Sequence, residues 1–126
     1  GSGSGSDNRS IRAPLLVLTT AGSLPEAKRI AQVILKHRAA ACVNLVPGID
    51  SWYWWQGKVE HAPEILLLIK TSRSRWKQLS SLIKHHQSYD LPELIALPIR
   101  WGDPAYLSWM GESMRPSPLD GTGGAG

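Results

Sequence analysis

Between residues 14 and 34, hydrophobic positions follow first the pattern of a strand and then the pattern of a helix. Residues 14–20 form a continuous apolar run whose length is typical of a buried strand. Ser23 and Glu26 then have the spacing of a capping box, in which each side chain bonds the other residue's backbone N–H. The helix that they predict buries positions spaced i, i+3, i+4 and i+7: Ala27, Ile30, Ala31 and Ile34.

A long β-hairpin is predicted in the middle of the chain. Residues 41–55 have strand character, and Pro47 with Gly48 should bend or bulge this strand. Gln56 and Gly57 form a turn, after which residues 59–71 are again typical of a strand. The two strands therefore pair as one hairpin.

The last part of the chain predicts a helix, a strand and a helix. Ser72 or Ser74 can cap the first of these helices, which presents Trp76, Leu79 and Ile83 on its inner face. Residues 94–99 form a short apolar strand. Asp103 and Pro104 supply a cap and a first-turn proline for the final helix. One face of that helix carries Tyr106, Trp109 and Met110.

The order strand, helix, strand, strand, helix, strand, helix predicts an α+β fold. It is the split βαβ order of a ferredoxin-like sandwich, in which helices cover one face of an antiparallel sheet. The domain is expected at residues 11–115. The Gly/Ser-rich residues 1–10 and residues 116–126 are expected to be a flexible leader and tail.

The strands have too many apolar positions for a sheet that is covered on one face only. Residues 15–18 and 65–69 are apolar at successive positions, so both faces of the sheet are apolar. About half a dozen such side chains, at ~1.5–3 kcal/mol each, are too costly to leave in water. A partner subunit is the predicted cover, with the hairpin as a docking arm. The alternative is that the third helix folds across this face.

Charge and composition exclude several classes of protein. The net charge of +4 comes from basic residues dispersed along the chain, which does not favour nucleic-acid binding. No apolar run is long enough to span a membrane. The single cysteine rules out an internal disulfide framework and fits a reducing compartment, so we predict a cytoplasmic protein.

Candidate binding residues are few, and each has a plain structural alternative. Cys42 is a metal-ligand candidate or a small buried side chain. His86 could bind a metal or complement the dipole at a helix end. Lys70 lies where a small anion could bind, near a helix start. Trp52 and Trp54 could stack on bases, although packing at an interface is the favoured interpretation. No nucleophile and base stand together, so no enzyme is predicted.

Five segments together resemble the CutA family of divalent-cation tolerance proteins. They are Ala-Ala-Cys-Val-Asn-Leu-Val-Pro-Gly at residues 40–48, Ser-Trp-Tyr-Trp-Trp-Gln-Gly-Lys at 51–58, Ile-Lys-Thr at 69–71, Tyr-Asp-Leu-Pro-Glu at 89–93 and Gly-Asp-Pro-Ala-Tyr-Leu-Ser-Trp at 102–109. The resemblance covers about residues 14–114. It implies a very stable homotrimer related to PII signalling proteins, with no established catalytic activity.

The resemblance implies only part of a family-type copper site. Copper-binding members carry a cysteine where this chain has Thr19, and a histidine where it has Gln87. His86 and Glu93 are kept, and Cys42 is at a family-typical position. Because copper(I) prefers soft ligands, such a site should be weakened here.

Two functions follow as hypotheses. The first is a non-enzymatic, trimeric and thermostable copper or zinc tolerance protein, with His86, Glu93 and Cys42 as tentative metal ligands. The second is a PII-like module for a small anionic ligand or a protein partner at subunit interfaces. The tentative ligand and interface residues are Lys70, Trp52, Trp54, Tyr89 and Trp109.

Overall fold

A computed structural model describes residues 12–115 of the chain. The expected leader and tail, residues 1–10 and 116–126, lie outside this range. In chain order the elements are β1 (Pro14–Ala21), α1 (Leu24–Lys36), β2 (Cys42–Trp55), β3 (Lys58–Ser72), α2 (Trp76–His86), β4 (Leu94–Pro98) and α3 (Pro104–Met114). The predicted order of elements is confirmed.

The four strands form one antiparallel sheet in the order β2-β3-β1-β4. At its centre, Val17 of β1 pairs with Ile69 of β3 and with Ala96 of β4. β1 and β2 flank α1 in sequence but are separated in the sheet by β3, as a split βαβ unit requires. The predicted α+β class is therefore confirmed.

The hydrophobic core lies between the sheet and the first two helices. Each amphipathic helix turns one apolar stripe to the sheet, because burying that stripe is the main source of its stability. The core is formed by alternate residues of the central strands and by the inner faces of α1 and α2, among them Val17, Leu67, Ile69, Ile30, Ile34, Leu79 and Ile83. The predicted inner positions of both helices are confirmed, except that Ala31 and Trp76 are only half-buried.

The opposite face of the sheet, which we call the open face, is apolar but not fully covered. Strand register places one row from each strand on it: Val46, Leu66, Leu68, Leu16, Leu18, Ile95 and Leu97. The central leucines are half-buried, whereas Ile95 and Leu97 are 48% and 45% exposed. Removing these side chains from water would be favourable, so the open face has the chemistry of an interface.

The third helix reaches only one end of the sheet. Asp103 caps it, accepting from the Tyr106 backbone N–H at 3.1 Å, as predicted. At the other end, Arg75 donates to the Met114 carbonyl oxygen at 2.7 Å. Met110 and Met114 are buried, yet Ile95 and Leu97 stay exposed. α3 therefore does not cover the open face by itself.

The β2–β3 hairpin extends beyond the other strands and contains a bulge and a tight turn. The register shifts between Val46 and Ile49, where Gly48 has φ of 79°, so the predicted bulge is confirmed. The turn between Trp55 and Lys58 places Gln56 and Gly57 in the left-handed region, with φ of 51° and 79°. Two such residues are typical of the hairpin turn that matches strand twist.

The predicted Ser23 cap of α1 is confirmed, but its return bond from Glu26 and the predicted serine cap of α2 are wrong. Ser23 does accept from the Glu26 backbone N–H, at 3.3 Å, but the Glu26 carboxylate bonds to Ser88 in a distant loop. The helix α2 begins at Trp76 after a short 3₁₀ turn and has no side-chain cap, so neither predicted serine caps it. Instead, the Ser72 and Ser74 hydroxyls bond each other at 2.8 Å.

Candidate functional site

A cleft of about 760 Å³ lies between the outer half of the β2–β3 hairpin, next to its turn, and the loop that joins α2 to β4. The hairpin supplies most of its aromatic side chains, and the loop supplies Tyr89, Asp90 and Glu93. Four residues singled out from the sequence line it together: Trp52, Trp54, Tyr89 and Glu93. We therefore treat this cleft as the candidate functional site.

The loop is fixed to the start of α1 by the Glu26 carboxylate. This buried group accepts from the Ser88 backbone N–H at 3.0 Å and from the Ser88 hydroxyl at 3.2 Å. Beside it, a Cβ on Gly22 would lie 3.2 Å from the Tyr89 hydroxyl oxygen, so the tyrosine can approach the backbone closely only because residue 22 is glycine. These contacts set the position of Tyr89 in the cleft.

Tyr89 donates its hydroxyl to Glu64 of β3, with an oxygen–oxygen distance of 2.6 Å. This length is typical of a bond to a charged carboxylate. Burial first, and then the Glu64 bond and its negative charge, raise the pKa of Tyr89 well above its ordinary value. The phenol therefore stays protonated and keeps donating to Glu64, which is only 8% exposed.

Glu93 lies near the Glu64 carboxylate. Burial, followed by the negative charge of Glu64, raises the pKa of Glu93. The backbone carbonyl of Glu93 accepts from the Thr19 hydroxyl, which joins this residue to the end of β1. A cation placed between the two side chains would favour the charged form of Glu93.

All the charged side chains that line the cleft are acidic: Glu60, Glu64, Asp90 and Glu93. Among residues 12–115, none of the four forms an ion pair with a lysine, arginine or histidine of that range. Negative charge without a counter-charge attracts cations and repels anions. The cleft is therefore suited to a positively charged ligand.

Strand register separates the aromatic residues of the hairpin onto two faces. Tyr53 pairs with Glu60, and Trp55 lies two residues further along the same face. This is also the face of Glu64, which pairs with Ile49. The alternation predicted for the tryptophans is confirmed, and it places an aromatic and an acidic row side by side.

The other face of the hairpin holds a cluster that the sequence analysis missed. The rings of Trp52 and His61 stack at 4.3 Å, with planes 14° apart. Asp50 accepts from the Trp52 indole N–H at 3.2 Å and lies 3.3 Å from His61 Nδ1. Asp50 and His61 are 11 residues apart in the chain, so only the hairpin register, not local spacing, could have indicated the contact.

Thr19 and Gln87, the two departures from the copper-binding family members, bond to each other. Gln87 Nε2 donates to the Thr19 hydroxyl at 3.2 Å and also to the Thr20 carbonyl oxygen. Gln87 is 9% exposed, and its Oε1 has no partner among the described residues. The hydroxyl and amide thus form a hydrogen-bonded link between β1 and the loop, in place of sulfur and imidazole.

The tentative metal ligands Cys42, His86 and Glu93 do not form one site within a chain. Cys42 begins the edge strand β2, whereas Glu93 precedes the opposite edge strand β4, on the order of 20 Å away across the sheet. His86 ends α2, where its ring meets the edge of the His85 ring. In the described part of the chain, no three histidine, cysteine, aspartate or glutamate side chains are grouped to hold a metal.

Lys70 and Trp109 lie away from the cleft. Lys70 pairs with Cys42 on the open face and donates to the Asn44 side chain. Along β3 it is on the order of 30 Å from the pairing partner of Trp52. On α3, Trp109 contacts Tyr106, with ring centroids 5.3 Å apart. Burial, and then the neighbouring Cys42, raise the pKa of Tyr106. Within one chain the predicted ligand residues thus divide into two groups.

Comparison with known proteins assigns the chain to a family. A family model described as CutA1 divalent ion tolerance protein matches residues 15–113. The chain belongs to the CutA1 family. The resemblance in the five sequence segments is thereby confirmed.

Curated CutA1 relatives come from plants and bacteria. The chain is 46% identical over 103 residues to protein CutA 1, chloroplastic, of Oryza sativa subsp. japonica, and this match covers 82% of the chain and 58% of the relative. It is 42% identical over 101 residues to the divalent-cation tolerance protein CutA of Pectobacterium atrosepticum, covering 80% of the chain and 92% of the relative. The chain thus spans little more than half of the plant relative.

Solved CutA1 structures have the same fold. The crystal structure of CutA1 from Oryza sativa matches with a TM-score of 0.81 and 43% identity, covering 86% of this chain and 99% of the other. The CutA1 protein of Thermus thermophilus matches with a TM-score of 0.78 and 42% identity, covering 79% and 97%. An Archaeoglobus fulgidus structure that also matches is named periplasmic, so the cytoplasmic location of this chain stays a prediction.

No helix within residues 12–115 has the length and apolar character needed to cross a membrane.

Proposed function

We propose that this CutA1-family protein acts in divalent-cation tolerance, as a homotrimer without catalytic activity, and that the cation binds in the acidic cleft. The observation that carries the proposal is the group of four lining carboxylates with no basic side chain among the lining residues. The family model and the bacterial relatives are named for tolerance of divalent ions or cations.

The donor set suits copper(II) or zinc better than copper(I). Glu64 and Glu93 offer carboxylate oxygens, and Glu93 is, with His86, one of the residues that the family-type site keeps. Position 19 carries a hydroxyl that is already engaged with Glu93 and Gln87, so no thiolate is present there. Soft copper(I) prefers sulfur ligands. We propose that the remaining ligands come from water or from a neighbouring subunit.

The trimer is supported by the open face. Its rows of apolar side chains, half-buried or exposed in the single chain, have the apolar composition of the centre of a subunit interface and not that of a solvated surface. The second hypothesis, a module for a small anion, gains no support from the cleft, because every charged lining residue would repel an anion. Lys70, its proposed anion contact, is already bonded to Asn44 elsewhere.

Titration calorimetry with copper(II) chloride and zinc chloride tests the cation site. We expect Glu93→Gln to weaken binding by at least about tenfold, since even outer residues of metal sites have effects of that size. Glu112→Gln is the matched control, because Glu112 pairs with Arg115 at the exposed end of α3 and does not line the cleft. Absence of binding, or equal binding by wild type and Glu93→Gln, would contradict the proposed site.

A further inference from the structure

We propose that the same cleft binds an organic polyamine, an aliphatic chain that carries two or more ammonium groups. This ligand class is different from the metal cation of the proposed function, and it is inferred from features of the cleft that a metal ion does not need. Those features are its size, its paired rows of aromatic and acidic side chains, and the absence, within residues 12–115, of a lysine or arginine over the rings of Tyr53 and Trp55.

The cleft is large for a single ion. Its volume of about 760 Å³ falls within the range of roughly 300–1,000 Å³ that is usual for small-molecule sites. A metal ion with its ligands would occupy a small part of this space. The remaining volume is sufficient for an extended aliphatic chain.

The acidic residues are arranged along the cleft rather than at one point. Glu60 and Glu64 lie on the same face of β3, four residues apart and so on the order of 13 Å along the strand. Asp90 and Glu93 lie on the loop that forms the other wall. An ammonium group has three donors and no acceptor, so each one can bond a separate carboxylate. Carboxylates spaced in this way fit a ligand with several positive charges.

Aromatic rings line the same space. Tyr53 and Trp55 are on the face of Glu60 and Glu64, and both rings are about half exposed, so their faces are accessible to a ligand. Ammonium groups, and the CH₂ groups next to them, bind favourably to such faces. Lys58 pairs with Trp55 on this face but does not line the cleft, which leaves the lining free of basic groups.

A contrast within the chain shows that these rings have no cation. The Arg100 guanidinium carbon lies 5.2 Å from the ring centroid of Trp101, outside the cleft. Among residues 12–115, no lysine or arginine lies over the ring of Tyr53 or Trp55 in this way, whereas the Trp52 ring stacks on His61. A bound polyamine would supply both the missing counter-charge and the missing ring contact.

Putrescine and magnesium ion provide probes of equal charge, and spermidine adds a third ammonium group. We expect calorimetry of the full chain at low salt to show binding of putrescine at least about tenfold tighter than that of magnesium, with spermidine tighter still. Trp55→Leu should weaken spermidine binding by about two- to fivefold, and Trp55→Phe should restore most of it, because the ring is what the ligand contacts. Trp101→Leu should have no effect, since Trp101 lies outside the cleft.

The acidic wall is tested by Glu60→Gln, with Glu112→Gln as its control. We expect only Glu60→Gln to weaken spermidine binding, with circular dichroism showing an unchanged fold. Equal binding of magnesium and putrescine, no effect of Trp55→Leu, or no spermidine binding at all would overturn the polyamine proposal. Titrating copper(II) and spermidine separately into the wild-type chain keeps the two proposals distinguishable: metal binding without spermidine binding rejects only the polyamine, and the reverse rejects only the metal.

Discussion

The Tyr89 side chain joins the three parts of the cleft. Its hydroxyl donates to Glu64 on the hairpin, its ring lies against Gly22 at the end of β1, and its backbone belongs to the loop that Glu26 anchors. Since Glu64 is almost fully buried, this bond compensates for the loss of water around its charge. The shape of the cleft and the hydrogen bonding of its most buried carboxylate therefore depend on one residue.

Replacing Tyr89 by phenylalanine should destabilise the protein. The change leaves Glu64 buried without its donor, which costs about 1–3 kcal/mol of unfolding free energy. Urea unfolding at neutral pH measures this loss. Tyr53→Phe is the matched control, because Tyr53 is exposed by 43% and supplies no donor to Glu64 among the described residues.

Wild type and Tyr89→Phe should also differ in how their stability depends on pH. The pKa of Tyr89 is raised in the folded state, so the stability linked to this group is fully present below the ordinary tyrosine pKa of about 10 and is lost as pH rises beyond it. The stability difference between wild type and Tyr89→Phe should accordingly stay constant up to about pH 9 and shrink across the range above about pH 10. A difference that stays constant across this range would contradict the assigned bond.

Individual residues of the cleft were only partly predictable from the sequence. The sequence singled out Tyr89 and Glu93 because they belong to a segment that resembles the CutA family. It singled out Trp52 and Trp54 because they belong to the aromatic run at residues 52–55. Glu26 was expected to complete a local capping box, yet its carboxylate bonds Ser88, 62 positions away. Local spacing predicts bonds within an element, whereas a bond between distant segments depends on the folded path of the chain.

At the scale of elements, the hairpin determines where the cleft lies. Its strands are 14 and 15 residues long, while β4 has 5, so the hairpin extends past the end of the sheet and forms one wall of the cleft. The bulge at Gly48 and the turn at Gly57 set its register, and a register error of one residue would move Tyr53 and Trp55 to the other face.

The Gly57→Ala substitution should weaken the hairpin. Gly57 has φ of 79° and a new Cβ would meet no atom within 4 Å, so the cost comes from backbone conformation alone, about 1 kcal/mol. Urea unfolding at fixed protein concentration measures it. Gln56→Asn is the control, since Gln56 has φ of 51° and asparagine tolerates that region, so no loss is expected. Equal stability of Gly57→Ala and wild type would contradict the assigned turn.

The elements themselves were well predicted because their signals are local. Periodic apolar positions indicated α1 and α2, and Asp103 with Pro104 marked the start of α3. The start of α2 was missed because a 3₁₀ turn at Arg73–Arg75 precedes it and no side chain caps it. The position of Lys70 relative to the tryptophans could not be read from the sequence, since it depends on how far the hairpin extends.

At the scale of the whole molecule, the open face connects fold and function. A single chain leaves Ile95 and Leu97 about half exposed beside a row of half-buried leucines. If the face is covered by neighbouring chains, folding and assembly are linked, and stability rises with protein concentration. A covered face would also explain why both faces of the central strands are apolar.

Ile95→Asp should disrupt assembly without unfolding the chain. Half of the Ile95 side chain is in water in the single chain, so a carboxylate is tolerated there, whereas burial in an interface would be costly. Leu35→Asp is the matched control, because Leu35 is similarly exposed on α1, away from the open face. Sedimentation velocity should show a smaller species only for Ile95→Asp, and a wild-type mass for both variants would contradict the role of the open face.

Native mass spectrometry with and without copper(II) tests the central claim most directly, because one spectrum counts both chains and ions. We predict a species of three times the 13.8 kDa mass of one chain, which gains copper in a fixed ratio and gains far less when Glu93 is replaced by glutamine. A single-chain mass at all concentrations, or a three-chain species that never gains copper, would contradict the account of a trimeric, cation-binding CutA1 protein.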